Sequence, residues 1–205
     1  MRQRFLNFSL LLFCSVILPA CADSIPALPR LAPNDVVLAF GDSLTYGTGA
    51  PAGQSYPEAL SALIGRNVVA AGEPGEQTAA GLARIDRVLD AYEPRILLLC
   101  LGGNDMLRKV DESIIESNLR HIIERARGRG VAVLLIGVPE PALFGGTAEF
   151  YGRIAEDLAL PFEGEILNDI LKDNEYKSDP IHPNARGYQI LAQAIAQLLQ
   201  RAGAV

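Results

Sequence analysis

Four short apolar segments, separated by amphipathic stretches, limit most strongly what this chain can fold into. They lie at residues 36–40, 67–70, 96–101 and 131–138. Each is continuously apolar, which is typical of strands covered on both faces, as in a parallel sheet. Helical spacing predicts helices at residues 56–64, 78–92, 112–127, about 148–158 and 163–171, and a last helix capped by Asn184. The alternation predicts one α/β domain with a doubly wound parallel sheet.

Composition supports a globular fold and argues against several kinds of partner. The 205 residues are 49% hydrophobic, enough to bury a core without a disulfide or a structural metal. With 18 Lys and Arg against 24 Asp and Glu, the chain lacks the basic surface of a nucleic-acid-binding protein. No G-x-G-x-x-G or G-K-[ST] loop is present, and we expect neither a cofactor nor a metal. Cys100, inside the third apolar segment, is expected to act as a small hydrophobic residue.

The N-terminus predicts export from the cell. Arg2 and Arg4 precede an apolar stretch at residues 5–18, which is short for a membrane span but suits a secretory signal. Residues 18–21, Leu-Pro-Ala-Cys, resemble the lipobox of bacterial lipoproteins, in which the cysteine becomes the lipid-modified N-terminus. We therefore expect Cys21 to be lipidated. A plain signal peptide cleaved nearby is the alternative, and a lasting transmembrane anchor is the least favoured interpretation.

This N-terminus divides the chain into three parts. Residues 1–20 are expected to be a signal peptide of the lipoprotein type, residues 21–34 a linker, and residues 35–205 the folded domain. The expected location is the periplasm or the outer membrane of a Gram-negative-type bacterium.

A serine follows the first predicted strand directly. The strand runs into Gly41-Asp42-Ser43-Leu44, and ligands of a doubly wound sheet bind outside the carboxyl ends of its strands. Gly41 permits a sharp turn, and backbone N–H groups at the start of the next segment can stabilise an oxyanion. Ser43 is therefore our candidate nucleophile, with a plain helix N-cap as the alternative. The chain has no G-x-S-x-G, which excludes the usual nucleophile elbow of α/β-hydrolases.

The chain has two histidines, and one of them lies in a setting suited to base catalysis. His182 follows Asp179-Pro180-Ile181, and Asp followed by Pro favours a type I turn that brings its first and fourth residues within ~7 Å. Asp179 and His182 also precede prolines, which restricts their backbones. The local sequence thus predicts an Asp–His pair able to serve a serine nucleophile, whereas a turn that only caps the last helix is the alternative. His121 is expected on a helix surface.

Loops after two other strands offer donors for an oxyanion. The third strand leads into Gly102-Gly103-Asn104-Asp105, where the glycines permit close approach to a ligand and Asn104 supplies an amide. After the second strand, Gly75 lies just before a helix and can present its N–H to an anion. For Gly75, a turn that caps the helix is the alternative interpretation.

Three separate motifs together resemble those of the GDSL, or SGNH, hydrolase superfamily. They are Gly41-Asp42-Ser43-Leu44, Gly102-Gly103-Asn104-Asp105 and Asp179-x-x-His182, in the family's order and spacing. Gly81-Leu82-Ala83-Arg84 adds a likeness to the bacterial thioesterase I, lysophospholipase and arylesterase branch. The resemblance extends from about residue 36 to the C-terminus. It implies a three-layer α/β/α flavodoxin-like fold.

The resemblance also implies a role for each motif residue. The block around Gly75 departs from the family pattern, because Ala70 replaces an asparagine and Glu76-Gln77 replaces Asp-Thr. The family would place residues 139–146 beside the acyl pocket. The implied roles are Ser43 as nucleophile, His182 as base, Asp179 as its orienter, and the Ser43 N–H, Gly75 N–H and Asn104 side chain as oxyanion hole.

These features predict a monomeric serine esterase that hydrolyses small carboxylic esters or thioesters through an acyl-enzyme. One alternative is a polysaccharide or peptidoglycan O-acetylesterase, since that chemistry recurs on this scaffold. A second is a non-catalytic envelope lipoprotein that binds acyl groups or glycans. We expect membrane contact only through a lipid on Cys21, and no nucleic-acid partner.

Overall fold

One five-stranded sheet lies at the centre of the molecule in a computed structural model, which describes residues 25–141 and 145–205. Its strands are β1 (Val36–Gly41), β2 (Asn67–Gly72), β3 (Ile96–Cys100), β4 (Ala132–Ile136) and β5 (Phe162–Glu163). All neighbours are parallel, in the order β2-β1-β3-β4-β5. This is the order of flavodoxin-like doubly wound sheets, and it confirms the predicted central parallel sheet.

Eight helices are present among the described residues and cover both faces of the sheet. They are α1 (Ser43–Tyr46), α2 (Tyr56–Ile64), α3 (Thr78–Tyr92), α4 (Gly103–Leu107), α5 (Glu112–Gly128), α6 (Glu149–Asp157), α7 (Ile166–Lys172) and α8 (Ala185–Arg201). Helix α2 packs against α8, and α3 packs against α5. Because crossovers between parallel strands are right-handed, the β1–β2 connection lies on one face and the later connections lie on the other. The architecture is α/β/α in three layers, as predicted.

Burial on both faces explains the continuous apolar segments. Leu97 and Leu98 in β3 point to opposite faces of the sheet, and both are 0% exposed. Burying each such side chain contributes about 2 kcal/mol. The edge strand β2 is half-buried over most of its length, because it has a neighbour on one side only. The prediction that Asn184 caps the last helix is confirmed, since its side chain accepts from the N–H groups of Arg186 and Gly187.

The sequence analysis did not predict strand β5, and it predicted that the helix α7 begins three residues before its observed start. Residues 163–171 were expected to be helical, whereas β5 contains Phe162 and Glu163 and α7 starts at Ile166. A two-residue strand is too short to produce a hydrophobic pattern. It forms because Leu135 and Ile136 of β4 offer a parallel edge for pairing.

The described part of the predicted linker packs on the domain. Leu28 and Leu31 are 8% and 3% exposed. Their N–H groups donate to the carbonyl oxygens of Ala202 and Ala204, at 2.9 and 2.8 Å. The folded unit therefore begins before residue 35, which was the predicted start of the domain. Residues 1–24, with the predicted signal peptide and Cys21, lie outside the described residues. Within the described ranges, none of the helices has the length and apolar character needed to cross a membrane.

Candidate active site

The carboxyl ends of β1 and β3 meet at the candidate site. A Cβ atom on Gly41 would lie 2.0 Å from the carbonyl oxygen of Cys100, so the position requires glycine. The chain then enters α1, which is capped by Asp42: its Oδ1 accepts from the Leu44 N–H at 3.0 Å. Ser43 is the first residue of α1. Its N–H therefore has no carbonyl of the preceding helical turn as a partner.

Ser43, His182 and Asp179 form a continuous chain of hydrogen bonds. Ser43 Oγ lies 3.0 Å from His182 Nε2, and His182 Nδ1 lies 2.8 Å from Asp179 Oδ2. When Nδ1–H donates to the carboxylate, Nε2 is left to accept the serine proton. The structure thus brings together the three residues that the sequence analysis singled out from two distant motifs.

The turn before α8 is held by the Asp179 side chain. Its Oδ1 accepts from the backbone N–H groups of Ile181 and His182, each at 2.9 Å. The sequence indicated a type I turn, but the acceptor is the carboxylate rather than a main-chain carbonyl, which is the pattern of an Asx turn. The Ser178 N–H donates to the His182 carbonyl at 2.9 Å and closes the loop.

The same bonds keep Asp179 ionised. Desolvation works against the charged form, but the Ile181 N–H and the His182 imidazole outweigh it and hold the pKa of Asp179 below its ordinary value of 3.8. An ionised carboxylate fixes the imidazole tautomer and stabilises the imidazolium that forms when the base takes a proton.

Asn104 is fixed beside the serine by two hydrogen bonds. Its Nδ2 donates to Asp42 Oδ2 at 3.1 Å and to the carbonyl oxygen of Glu76 at 3.0 Å. Both amide hydrogens are therefore engaged within the protein, and a substrate oxygen must share or replace one of these bonds. Burial raises the pKa of Asp42 from 3.8 to about 6, against the lowering effect of the Leu44 and Asn104 hydrogen bonds.

Gly75 lies in a turn whose shape requires glycine. Its φ is +80°, Pro74 precedes it, and the Glu76 N–H donates to the Glu73 carbonyl at 3.1 Å. These features define a type II turn with glycine at the third position. The turn places Gly75 directly before Glu76, whose carbonyl accepts the Asn104 bond.

Sequence reasoning missed three buried acidic residues that support the site. Asp42, Glu76 and Asp105 are 2%, 7% and 1% exposed. Glu76 pairs with Arg84, with 2.5 Å between Oε1 and Nε. Asp105 accepts from the backbone N–H and the hydroxyl of Thr78, at 2.9 and 2.7 Å. Asp42, Arg84 and Asp105 belong to the recognised motifs, but acidic residues in loops are mostly exposed, so motif spacing does not reveal this pairing.

Two residues that the sequence analysis expected to have no catalytic role, His121 and Cys100, lie outside the hydrogen-bonded chain of the candidate site. His121 is exposed on α5, within 3.5 Å of the Ser117 hydroxyl. Cys100 is fully buried in β3, and burial raises the pKa of its thiol. A buried, protonated thiol is inert as a nucleophile.

A cavity of about 450 Å³ opens beside Ser43 and His182. This volume is ordinary for a small-molecule site. Pro139, Pro141 and Gly145 line the cavity, so the described part of the predicted 139–146 loop lies beside it, while residues 142–144 lie outside the described residues. Its apolar side chains are Leu44, Leu107, Val138, Pro139, Pro141, Leu171, Pro180 and Ile181.

A serine bonded to a histidine that a carboxylate orients is the arrangement of the serine hydrolases. The sequence agrees with that class, because the model of the GDSL-like lipase/acylhydrolase family matches residues 39–190. The chain belongs to this family and is an ester-hydrolysing enzyme.

Individual proteins extend the likeness over most of the chain. Thioesterase 1/protease 1/lysophospholipase L1 of Escherichia coli K12 is 30% identical over 179 residues, which cover 83% of this chain and 86% of the relative. The crystal structure of AlinE4, an SGNH-hydrolase family esterase, is 32% identical with a TM-score of 0.66, covering 84% of this chain and 98% of the other. The crystal structure of TesA is 26% identical with a TM-score of 0.73, covering 82% and 99%.

Proposed function

We propose that this enzyme hydrolyses carboxylic esters or thioesters through an acyl-enzyme formed on Ser43. The observation that carries the proposal is the hydrogen-bonded chain from Ser43 Oγ through His182 to Asp179, with distances of 3.0 and 2.8 Å, at the wall of an open cavity. In this proposal Ser43 is the nucleophile, His182 the general base and acid, and Asp179 the residue that orients the imidazole.

The reaction proceeds in two half-reactions. Ser43 Oγ attacks the carbonyl carbon while His182 Nε2 takes the hydroxyl proton. The bond to the leaving alcohol or thiol then breaks, His182 returns the proton to that group, and the acyl group remains on Ser43. Water attacks this ester next and gives one proton to His182. Collapse releases the carboxylic acid, and the proton returns to Ser43 Oγ.

Three donors stabilise the oxyanion in this mechanism: the N–H of Ser43, the N–H of Gly75 and Nδ2 of Asn104. The position of Ser43 at the start of α1 supports the first assignment, because that N–H lacks a helical partner. The fixed amide of Asn104 supports the last. The two backbone N–H groups need no rearrangement as charge develops, whereas Asn104 shares or exchanges one of its two bonds with the oxyanion.

The cavity favours an acyl group longer than acetyl. Eight of its lining residues are Leu, Val, Ile or Pro, and an apolar wall gains free energy with each methylene it removes from water. The names of the relatives, a thioesterase and lysophospholipase among them, support acyl thioesters and esters as the substrate class. A polysaccharide O-acetylesterase remains the alternative and has the opposite expectation, a preference for acetyl.

A series of p-nitrophenyl esters from acetyl to palmitoyl tests both points. We expect kcat/KM to rise from acetyl to a medium or long chain, and Ser43→Ala and His182→Ala to abolish turnover. His121→Ala is the matched histidine control and should keep the wild-type rate. A maximum at acetyl would favour the O-acetylesterase, and an active Ser43→Ala variant would refute the mechanism.

We also infer that the enzyme is exported and held at the membrane by a lipid on Cys21. The support is the order of features at the N-terminus: Arg2 and Arg4, an apolar stretch at residues 5–18, then Leu-Pro-Ala-Cys at 18–21. A lipid anchor would hold the enzyme in the periplasm or at the outer membrane. That the enzyme is a monomer also stays a prediction.

A further inference from the structure

Two of the three lysines of this chain line the active-site cavity. Lys172 and Lys177 line the same cavity as Ser43 and His182, whereas Lys109 does not. The chain has fifteen arginines, and none of those in the described ranges lines the cavity. The cations of this cavity wall are therefore two lysines, in a chain with a formal charge of −6.

Neither lysine is neutralised by a carboxylate within residues 25–141 and 145–205. Ion pairs in these ranges use arginines and His182 as the cations. Lys177 Nζ donates to the Leu171 carbonyl oxygen at 2.9 Å. Lys172 Nζ lies 2.8 Å from the Asn168 side-chain oxygen when that amide is oriented to donate to Gly145. An ammonium has three donors, so each lysine retains capacity for a ligand.

The backbone holds both lysines close to the catalytic turn. Lys172 is the last residue of α7, and Lys177 forms an antiparallel bridge with Pro183, the residue after His182. The bond from Lys177 to Leu171 ties its ammonium to the end of α7. Capping of α7 explains the bond from Lys177 to Leu171. It does not explain why Lys172 lies in the same wall without a carboxylate partner.

Two carboxylates, Asp42 and Glu140, share the wall with the lysines. Asp42 is 2% exposed and accepts hydrogen bonds from the Leu44 N–H and Asn104 Nδ2, so Glu140 is the exposed counter-charge. It lies in the exposed loop segment with Pro139 and Pro141 and lines the same cavity. Lys172 and Lys177 balance these two carboxylates, so the positive charge of the wall is confined to the two ammonium groups. A neutral ester gains little from such a wall, whereas a substrate with an anionic group gains electrostatic free energy where that group lies against the two ammonium groups.

We propose that Lys172 and Lys177 form a subsite for a phosphate carried by the leaving group of the substrate. This rests on the proposed function, because it takes Ser43 as the position of the scissile carbonyl. The apolar part of the wall suits the acyl chain, which carries no charge, so the anion belongs to the alcohol or thiol side. A phosphate of this kind occurs in lysophospholipids and in coenzyme A thioesters, and the test separates the two.

The test compares matched substrate pairs that differ in phosphate. One pair is 1-acylglycerol 3-phosphate and 1-acylglycerol, and the other is S-acyl-4′-phosphopantetheine, the phosphate-bearing arm of coenzyme A, and S-acyl-pantetheine. For each pair the readout is the ratio of kcat/KM for the phosphorylated member to that for the neutral member. We expect the double substitution Lys172→Met and Lys177→Met to lower this ratio about tenfold in at least one pair. The pair that responds identifies the source of the phosphate.

Two controls sharpen the result. Lys109→Met removes the third lysine, which lies outside the cavity wall, and should leave both ratios unchanged. Raising the ionic strength from about 0.01 to 0.15 M shortens the screening length from about 30 to 8 Å and should reduce the wild-type ratio but not that of the double variant. Glu140→Gln should raise the wild-type ratio, because it removes the opposing charge.

The proposal is overturned if neither ratio changes in the double variant, or if both members of each pair lose activity in parallel, which would mark a purely structural role. Failure of the proposed function gives a different outcome. In that case wild-type enzyme would not hydrolyse the neutral members or p-nitrophenyl esters at all, with every lysine in place.

Discussion

In the structure, the side-chain amide of Asn104 donates both of its hydrogens to protein acceptors, Asp42 and Glu76. If one of these hydrogens turns to the developing oxyanion, its bond strengthens mainly in the transition state. We expect Asn104→Ala to lower kcat by roughly 10²–10³, the usual effect of removing one oxyanion donor, with little change in KM. Steady-state kinetics on one p-nitrophenyl ester measures both. A raised KM with unchanged kcat would instead make Asn104 a substrate-binding residue.

Asp42 links the stability of the fold to pH at the level of one side chain. Its pKa is about 6 in the folded chain against 3.8 ordinarily, so folding disfavours its ionised form. Stability is therefore highest below pH 4 as far as this group is concerned, and it falls as the pH rises through about 6. The difference corresponds to about 3 kcal/mol at 1.36 kcal/mol per pH unit.

We predict that Asp42→Asn removes this pH dependence. Relative to the variant, the free energy of unfolding of the wild type should fall by up to about 3 kcal/mol between pH 4 and pH 7, as measured by urea denaturation at each pH. The variant should also be slower than the wild type, because its amide offers a donor where Asn104 needs an acceptor. Parallel stability curves for the two proteins would contradict the buried, pH-sensitive carboxylate.

At the scale of elements, Arg84 ties α3 to the carboxyl ends of two strands. Its guanidinium bonds Glu76 at 2.5 and 2.6 Å and the Ala71 carbonyl at 2.9 Å, and it lies 4.0 Å from the Phe40 ring centroid. Glu76 belongs to the turn that carries Gly75. The ion pair therefore anchors the turn that the mechanism uses as an oxyanion donor.

Breaking this tie should destabilise the fold and slow the reaction. We expect Arg84→Met to lower the free energy of unfolding by about 3–5 kcal/mol, because Glu76 is left buried and unpaired. The double variant Arg84→Met and Glu76→Gln should recover part of the stability but not kcat, since the turn stays untethered. Chemical denaturation and kcat on both variants give the answer, and full activity in the double variant would mean that the turn needs no tether.

The elements also show what a sequence can reveal. The four long strands and the helices α2, α3 and α5 were predictable because their hydrophobic patterns are long enough to be read. The Asp179–His182 pair was predictable because five adjacent residues, 179–183, with two prolines define it locally. The strand β5 and the ion pair between Glu76 and Arg84 were not, since both depend on contacts that exist only after the chain has folded.

At the scale of the whole molecule, the proposed location of the enzyme depends on Cys21. A single acyl chain binds membranes only marginally, so stable anchoring needs the multiple chains of a modified cysteine. We expect Cys21→Ser to move the protein from the membrane fraction to the soluble fraction, or to block its processing. Intact-mass analysis of the wild type is the direct measurement. A mature N-terminus other than Cys21, without added lipid mass, would show a freely soluble exported esterase.

The central claim is that Ser43 is the nucleophile of this enzyme, and covalent labelling tests that claim most directly. An organophosphonate inhibitor should add one equivalent of mass to the intact enzyme, and peptide mapping should place the adduct on Ser43. His182→Ala should label far more slowly, because the base that activates the hydroxyl is gone. An adduct on any other serine, or full inactivation without an adduct on Ser43, would contradict the account.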